Sequence, residues 1–306
     1  MQIGTSQLFS SAYKRMSQLS TEAARYNAEI ATGKKVQTAS DDTVAFGRLT
    51  RLSRTTANEK QYASNMKLAG TLLQQSDDAL DAVTTQVQRV RELALRASSD
   101  TLSASDRAAI STELDGIVDA IMGIANTTDA RGVPLFAGAD GQTPFAKDAD
   151  GKVVFHGQGE APAIPISATG TVTATSSGAR VFGGIRTADG GTSDLFTLVQ
   201  NLATALNGSD EDARKAAVAQ SLTDLNSADE SITNARASVG ARAARVDLES
   251  NQLSDLADAR EAERSSLEEA DTTESVVNLQ KISTILQATQ ASFSKLSQLS
   301  LFNYLS

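Results

Sequence analysis

Few side chains in this sequence could do chemistry, and their spacing does not gather them. The single histidine, His156, lies in a Phe-His-Gly-Gln-Gly stretch. General acid or base work needs partners that such a stretch lacks, so His156 reads as a surface or turn residue. There is no cysteine, which removes disulfide staples, thiolate metal sites and cysteine nucleophiles. Asp41 and Asp42 could form a carboxylate pair, but acids placed just ahead of a helical pattern more simply cap its N-terminus. Glu261, Glu263, Glu268, Glu269, Asp271 and Glu274 could gather a divalent cation, yet they read as a solvated helix face around a break. Gly183, Gly184, Gly190 and Gly191 do not have phosphate-loop spacing, and no Lys-Ser/Thr follows them. The sequence therefore predicts no enzyme, no cofactor and no metal.

The elements that would position these residues say more. Two apolar seams occupy the chain ends. One runs through Ala12, Met16, Leu19, Ala23, Tyr26 and Ile30, with Leu8 ahead of it, and the other through Leu279, Ile282, Leu286, Thr289, Phe293 and Leu296. Steps of three and four are the spacing of a coiled-coil stripe. The burial available to one such stripe is smaller than the cost of ordering its backbone, which predicts that neighbouring copies complete it. The ends are nearly uncharged: no acid precedes Glu22 and none follows Glu274, although the net charge is -9. That acidity argues against non-specific nucleic-acid binding. No apolar run is long enough for a membrane span or resembles a signal-peptide core, so by ordinary rules the chain reads as cytoplasmic.

Between the seams the pattern is helical, then β, then helical. Ser40, Asp41 and Asp42 precede a proline-free stretch in which Met66, Leu73, Leu80, Val87 and Ala94 recur every seven residues. This predicts one helix of roughly fifty residues, about 80 Å long. Ser103 and Asp106 make a capping-box pattern before a third helix with the face Ile110, Leu114, Ile117, Ile121, Ile124. All four prolines and twelve of the twenty glycines then fall between Thr128 and Leu195. Short β-type runs at Val153–Phe155, Ile164–Ile166, Thr171–Thr175 and Arg180–Phe182 predict a small β-rich insert. Helical pattern resumes near Leu195, and Val218, Leu225, Ile232, Val239, Val246 and Leu253 hold one seam. Gly240 is a possible bend, and Asp271 with Glu274 caps the last helix. With only four Tyr, nine Phe and no Trp, the expected fold is mainly α, an elongated antiparallel coiled-coil or helical bundle built from both termini.

Several motifs resemble the bacterial flagellin family. They are Ala31-Thr-Gly-Lys-Lys-Val-Gln-Thr-Ala-Ser-Asp-Asp42, Gln88-Arg-Val-Arg-Glu-Leu-Ala-Leu95, Ser238-Val-Gly-Ala-Arg242 and Glu269-Ala-Asp-Thr-Thr-Glu-Ser-Val-Val277. The resemblance spans about residues 1–138 and 220–306. Within the family, Ile3-Gly-Thr-Ser-Gln-Leu-Phe9, Arg131-Gly-Val-Pro-Leu-Phe-Ala-Gly138 and the tail Phe293-Ser-Lys-Leu-Ser-Gln-Leu-Ser-Leu-Phe-Asn-Tyr-Leu305 are similar to the members that join hook to filament. Thr43, where those members often carry proline, keeps a divergent filament flagellin open. A surface module binding a glycan or receptor through the insert is a further alternative.

The resemblance implies a structural axial protein, located outside the cell and exported by the flagellar secretion apparatus without a cleaved signal. It implies an inner coiled-coil domain (1–40 and 270–306), a helical middle domain (42–128 and 195–268) and an outer β domain (129–194). Its implied neighbours are copies of itself in a ring, hook-associated protein 1 and flagellin, with an export chaperone before secretion and no membrane insertion. The assembly contacts would come from the two seams together with Leu299, Leu301 and Phe302.

Overall fold

Helix ends fall where side chains can satisfy free backbone groups. The structure, a computed structural model, describes the backbone of residues 2–99 and 101–305 and the side chains of residues 7, 9–99 and 101–295. Helix α1 (Gln2–Thr32) stops at Gly33, whose φ of 70° is a left-handed conformation that costs glycine nothing. Helix α2 (Thr43–Ala97) is capped by Asp42, whose Oδ1 accepts the N–H groups of Val44 and Ala45, each at 2.9 Å. Helix α3 (Ala104–Ala125) starts with the expected capping box. Ser103 Oγ accepts the Asp106 N–H, and Asp106 Oδ2 accepts the Ser103 N–H, both at 3.1 Å.

The insert that follows contains three antiparallel two-stranded ladders. Strand β1 (Phe145–Lys147) pairs with β2 (Val153–Phe155), β3 (Ile164–Pro165) with β4 (Thr171–Val172), and β5 (Ile185–Arg186) with β6 (Thr192–Ser193). The run Arg180–Phe182, expected as β, is instead the end of a short helix, α4 (Gly178–Phe182). The fold then returns to helix as α5 (Leu195–Leu206), α6 (Glu211–Glu268) and α7 (Thr272–Leu305). Helix α6 continues through Gly240 without interruption.

The chain forms two compact units, residues 1–58 with 255–306, and residues 59–254. The second unit has a continuous apolar core. The α2 seam Met66, Leu73, Leu80, Val87, Ala94 is buried along its length, as are the α6 positions Val218, Leu225, Ile232, Val239 and Val246. Helices α3 and α5 add Leu114, Ile121, Leu195, Val199 and Leu202. Ser111 Oγ donates to the Ala203 carbonyl at 2.9 Å and holds α3 to α5. The insert shares this core through its phenylalanines. Phe145 lies 5.0–5.3 Å, centroid to centroid, from Phe155, Phe182 and Phe196, and Phe136 meets Phe182 edge-on at 5.3 Å. Phe182 faces this cluster from the last residue of α4, so its apolar character reflects burial by a helix rather than by a strand. Asn126 extends the β1 ladder with its side-chain amide, donating to the Phe145 carbonyl (2.9 Å) and accepting its N–H (3.0 Å).

Candidate assembly interface

The unit of residues 1–58 and 255–306 is built differently. Phe9 meets Phe293 edge-on at 5.2 Å, and Ser275 Oγ donates to Glu29 Oε2 at 2.9 Å. As α1 advances from residue 9 to 29, its partner falls from 293 to 275, so α1 and α7 pack antiparallel. The expected seam residues lie on the facing stripes. Ala12, Met16, Leu19, Ala23, Tyr26 and Ile30 on α1, and Leu279, Leu286, Thr289 and Phe293 on α7, are each half-buried. Among the described seam residues only Ile282 is buried, at 8 % exposure. Leu8, Leu296, Leu299, Leu301 and Phe302 fall outside the described side chains. One partner helix thus covers each stripe in part. Further apolar side chains of this unit lie open: Tyr13 is 70 % exposed, Val44 72 % and Val277 59 %, with Val276 and Ile285 also exposed. The two-helix pattern did not single out these five residues, because they sit off its stripes.

A clasp joins the two helix breaks of this unit. The Lys35 N–H donates to the Glu268 carbonyl (2.7 Å) and the Ala270 N–H to the Gly33 carbonyl (2.9 Å), which forms an isolated antiparallel bridge between Lys34 and Glu269. Lys35 Nζ adds a hydrogen bond to the Ser266 carbonyl at 2.8 Å. Val36, Ala45 and Ala270 are buried there. Acidic residues finish the local geometry. Asp41 Oδ2 accepts the N–H groups of Thr38 (2.8 Å) and Gln37 (3.0 Å), and these bonds hold its carboxyl below the usual range. Asp271 Oδ1 accepts the N–H groups of Thr273 (2.9 Å) and Glu274 (3.0 Å) and so starts α7.

Glu261, Glu268 and Glu269 of the acidic cluster are engaged in similar work. Glu268 pairs with Lys34 and with Arg264, whose other partner is Glu261. Burial alone would raise the Glu268 carboxyl, but the bonds and charges of Lys34 and Arg264 hold it below its ordinary value. Glu269 accepts a hydrogen bond from Ser265. Among the described residues no three His, Cys, Asp or Glu side chains converge as a metal site. His156 is exposed on the insert, with its backbone N–H bonded to the Pro144 carbonyl at 2.8 Å. No helix among the described residues is long and apolar enough to cross a membrane.

Two half-covered terminal helices, linked at a clasp and flanking a mid-chain insert in the sequence, match known proteins. The bacterial flagellin N-terminal helical region matches residues 3–140, and the bacterial flagellin C-terminal helical region matches residues 222–305. The chain belongs to the bacterial flagellin family. It is 27 % identical to flagellar hook-associated protein 3 of Salmonella typhimurium, over 99 % of both chains. It is 28 % identical to the Escherichia coli protein of the same name, again over 99 % of both. In fold it is similar to the crystal structure of flagellar hook-associated protein 3 from Legionella pneumophila, with a TM-score of 0.67 and 16 % identity over 71 % of this chain and 98 % of that one. These relatives are structural flagellar proteins and not enzymes. This flagellin-family chain is likewise a structural component of the bacterial flagellum.

Proposed function

We propose that this chain is the subunit joining hook to filament, and that it assembles as a ring of copies through its terminal helices. The observation that carries the assembly reading is a contrast in burial. The α2 and α6 seams of residues 59–254 are closed to solvent from Met66 to Ala94 and from Val218 to Val246, whereas the α1 and α7 seams stay half open when paired only with each other. Apolar surface left this way is stabilised by burial against another subunit. The end-to-end alignment with two hook-associated proteins supports the junction position over the filament body.

In this reading residues 1–40 and 270–306 form the inner domain, 42–128 and 195–268 the middle domain, and 129–194 the outer domain. Hook-associated protein 1 and flagellin are the neighbours along the axis. The chain leaves the cell through the flagellar export channel without a cleaved signal, its C-terminal stripe covered beforehand by a chaperone. Deleting residues 280–306 is expected to abolish filament attachment while leaving residues 59–254 folded by circular dichroism. Full-length filaments on cells carrying that truncation would overturn the proposal. Immunogold labelling gives the position: a band at the hook end fits, and continuous labelling along the filament refutes it in favour of a flagellin.

A further inference from the structure

A polar cleft of about 510 Å³ opens in the unit of residues 59–254, between one face of α6 and the segment leading into α4. Its α6 wall presents Ser231, Asn234, Ser238 and Arg242, which steps of three and four place on one helix face. The first three are short, so space remains above them, and the opposite wall brings Arg180 and Glu160.

Arg242 is the unusual group. Its Nε donates to the Ser238 carbonyl (3.1 Å), Nη1 to the Thr173 carbonyl (2.7 Å) and Nη2 to Ser176 Oγ (3.0 Å). All of these acceptors are neutral, and a guanidinium has five N–H groups, so two remain for a ligand. Burial and the nearby Arg180 charge both push Arg242 below its ordinary pKa, with only partial relief from Glu160. Arg180 itself pairs with Glu160 at 2.7 Å, with side chains 70 % and 48 % exposed. A pair this exposed holds its partners weakly. The cleft therefore sets two guanidinium groups against one carboxylate, in a chain whose net charge is -9. The flanking hydroxyls and the Asn234 amide add neutral donors.

We propose that this cleft binds an oxyanion, a carboxylate or sulfate group, held between the Arg180 and Arg242 forks and hydrogen-bonded by the α6 serines. The group can come from a free anion or from an acidic side chain of a second copy. The site is independent of the terminal seams.

The full-length chain titrated with sodium sulfate and with citrate, against sodium chloride at equal ionic strength, tests this by isothermal calorimetry and by backbone amide shifts at Ser238 and Arg242. Saturable binding is expected, at least about tenfold weaker in Arg180→Gln and partly restored in Arg180→Lys. Because Arg180 is exposed, these variants keep the fold. Sedimentation velocity across protein concentration separates the two sources. Self-association that weakens in Arg180→Gln and is competed by sulfate assigns the group to a second copy. Sulfate binding with unchanged association assigns it to a free anion. Binding equal in wild type and Arg180→Gln overturns the proposal, as does the absence of both saturable binding and any Arg180-dependent association.

Discussion

Replacing Leu286 by alanine, with Leu80→Ala as its counterpart, separates a seam completed by neighbours from one already complete. Leu80 is 1 % exposed in the core of residues 59–254. Its truncation removes the transfer free energy of the lost atoms and leaves a cavity, a cost of about 3–5 kcal/mol to the isolated chain. Leu286 is half-buried against α1. The isolated chain therefore loses about half of the leucine transfer term, ~1 kcal/mol, with no enclosed cavity. The half that faces away from α1 contributes a similar ~1 kcal/mol to a contact between copies, equivalent to about fivefold in each association step. Thermal melts and hydrogen exchange resolved on α2 and α7 measure the first effect; light scattering of the assembling protein measures the second. Leu80→Ala is expected to lower the melting of its unit sharply, whereas Leu286→Ala melts nearly as wild type and assembles poorly. A Leu286→Ala chain destabilised as much as Leu80→Ala, yet assembling normally, would show that α1 and α7 already form a closed pair.

Two further outcomes follow from the other unit. Gly138 has a φ of 85°, and a Cβ there would lie 2.6 Å from the Gln158 carbonyl oxygen and 2.7 Å from that of Gly159. Gly138→Ala should cost about 2 kcal/mol or more, measured as a drop in urea midpoint, while Gly123→Ala, on the exposed face of α3 with nothing within 4 Å, should hold or raise the midpoint, by up to about 1 kcal/mol. Asp129 is buried, with its side chain 5 % exposed. Burial would raise its carboxyl, but Arg131 and the N–H groups of Val133 and Arg131 hold it below the ordinary value. Its stabilising contribution is therefore complete above the unfolded-chain pKa of about 3.9 and is lost as pH falls through the lower, folded value. Asp129→Asn should flatten that part of the acid-unfolding curve; an unchanged curve would assign the acid sensitivity elsewhere.

Long seams and caps were legible from the sequence because each depends on local spacing. Every heptad residue of the α2 pattern is buried, and Ser103 with Asp106 makes the predicted reciprocal cap. Short elements were not. Val181 and Phe182 look like strand residues, yet both are buried in a helix, and Phe182 packs into the phenylalanine cluster, a long-range contact that overrides a three-residue propensity. The break between α5 and α6 carries a local signal: Asp210, two residues after Gly208, caps α6 through the N–H groups of Asp212 (3.0 Å) and Ala213 (3.1 Å). In the terminal unit the stripes were readable, but the pairing of Lys34 with Glu269 joins residues far apart in sequence and has no local signature.

That pairing also determines how the chain carries load. In a rotating appendage, tension drawn along α1 would otherwise straighten the loop between Thr32 and Thr43, one backbone torsion at a time. The clasp ties the start of that loop, Lys35 and Gly33, to Glu268 and Ala270 through main-chain bonds of 2.7 and 2.9 Å, flanked by the Lys34–Glu268 ion pair. Both bonds lie in one short antiparallel bridge between Lys34 and Glu269. A load on α1 therefore has a path from residues 33–35 to the break between α6 and α7, and so to α7, that does not run through residues 36–42.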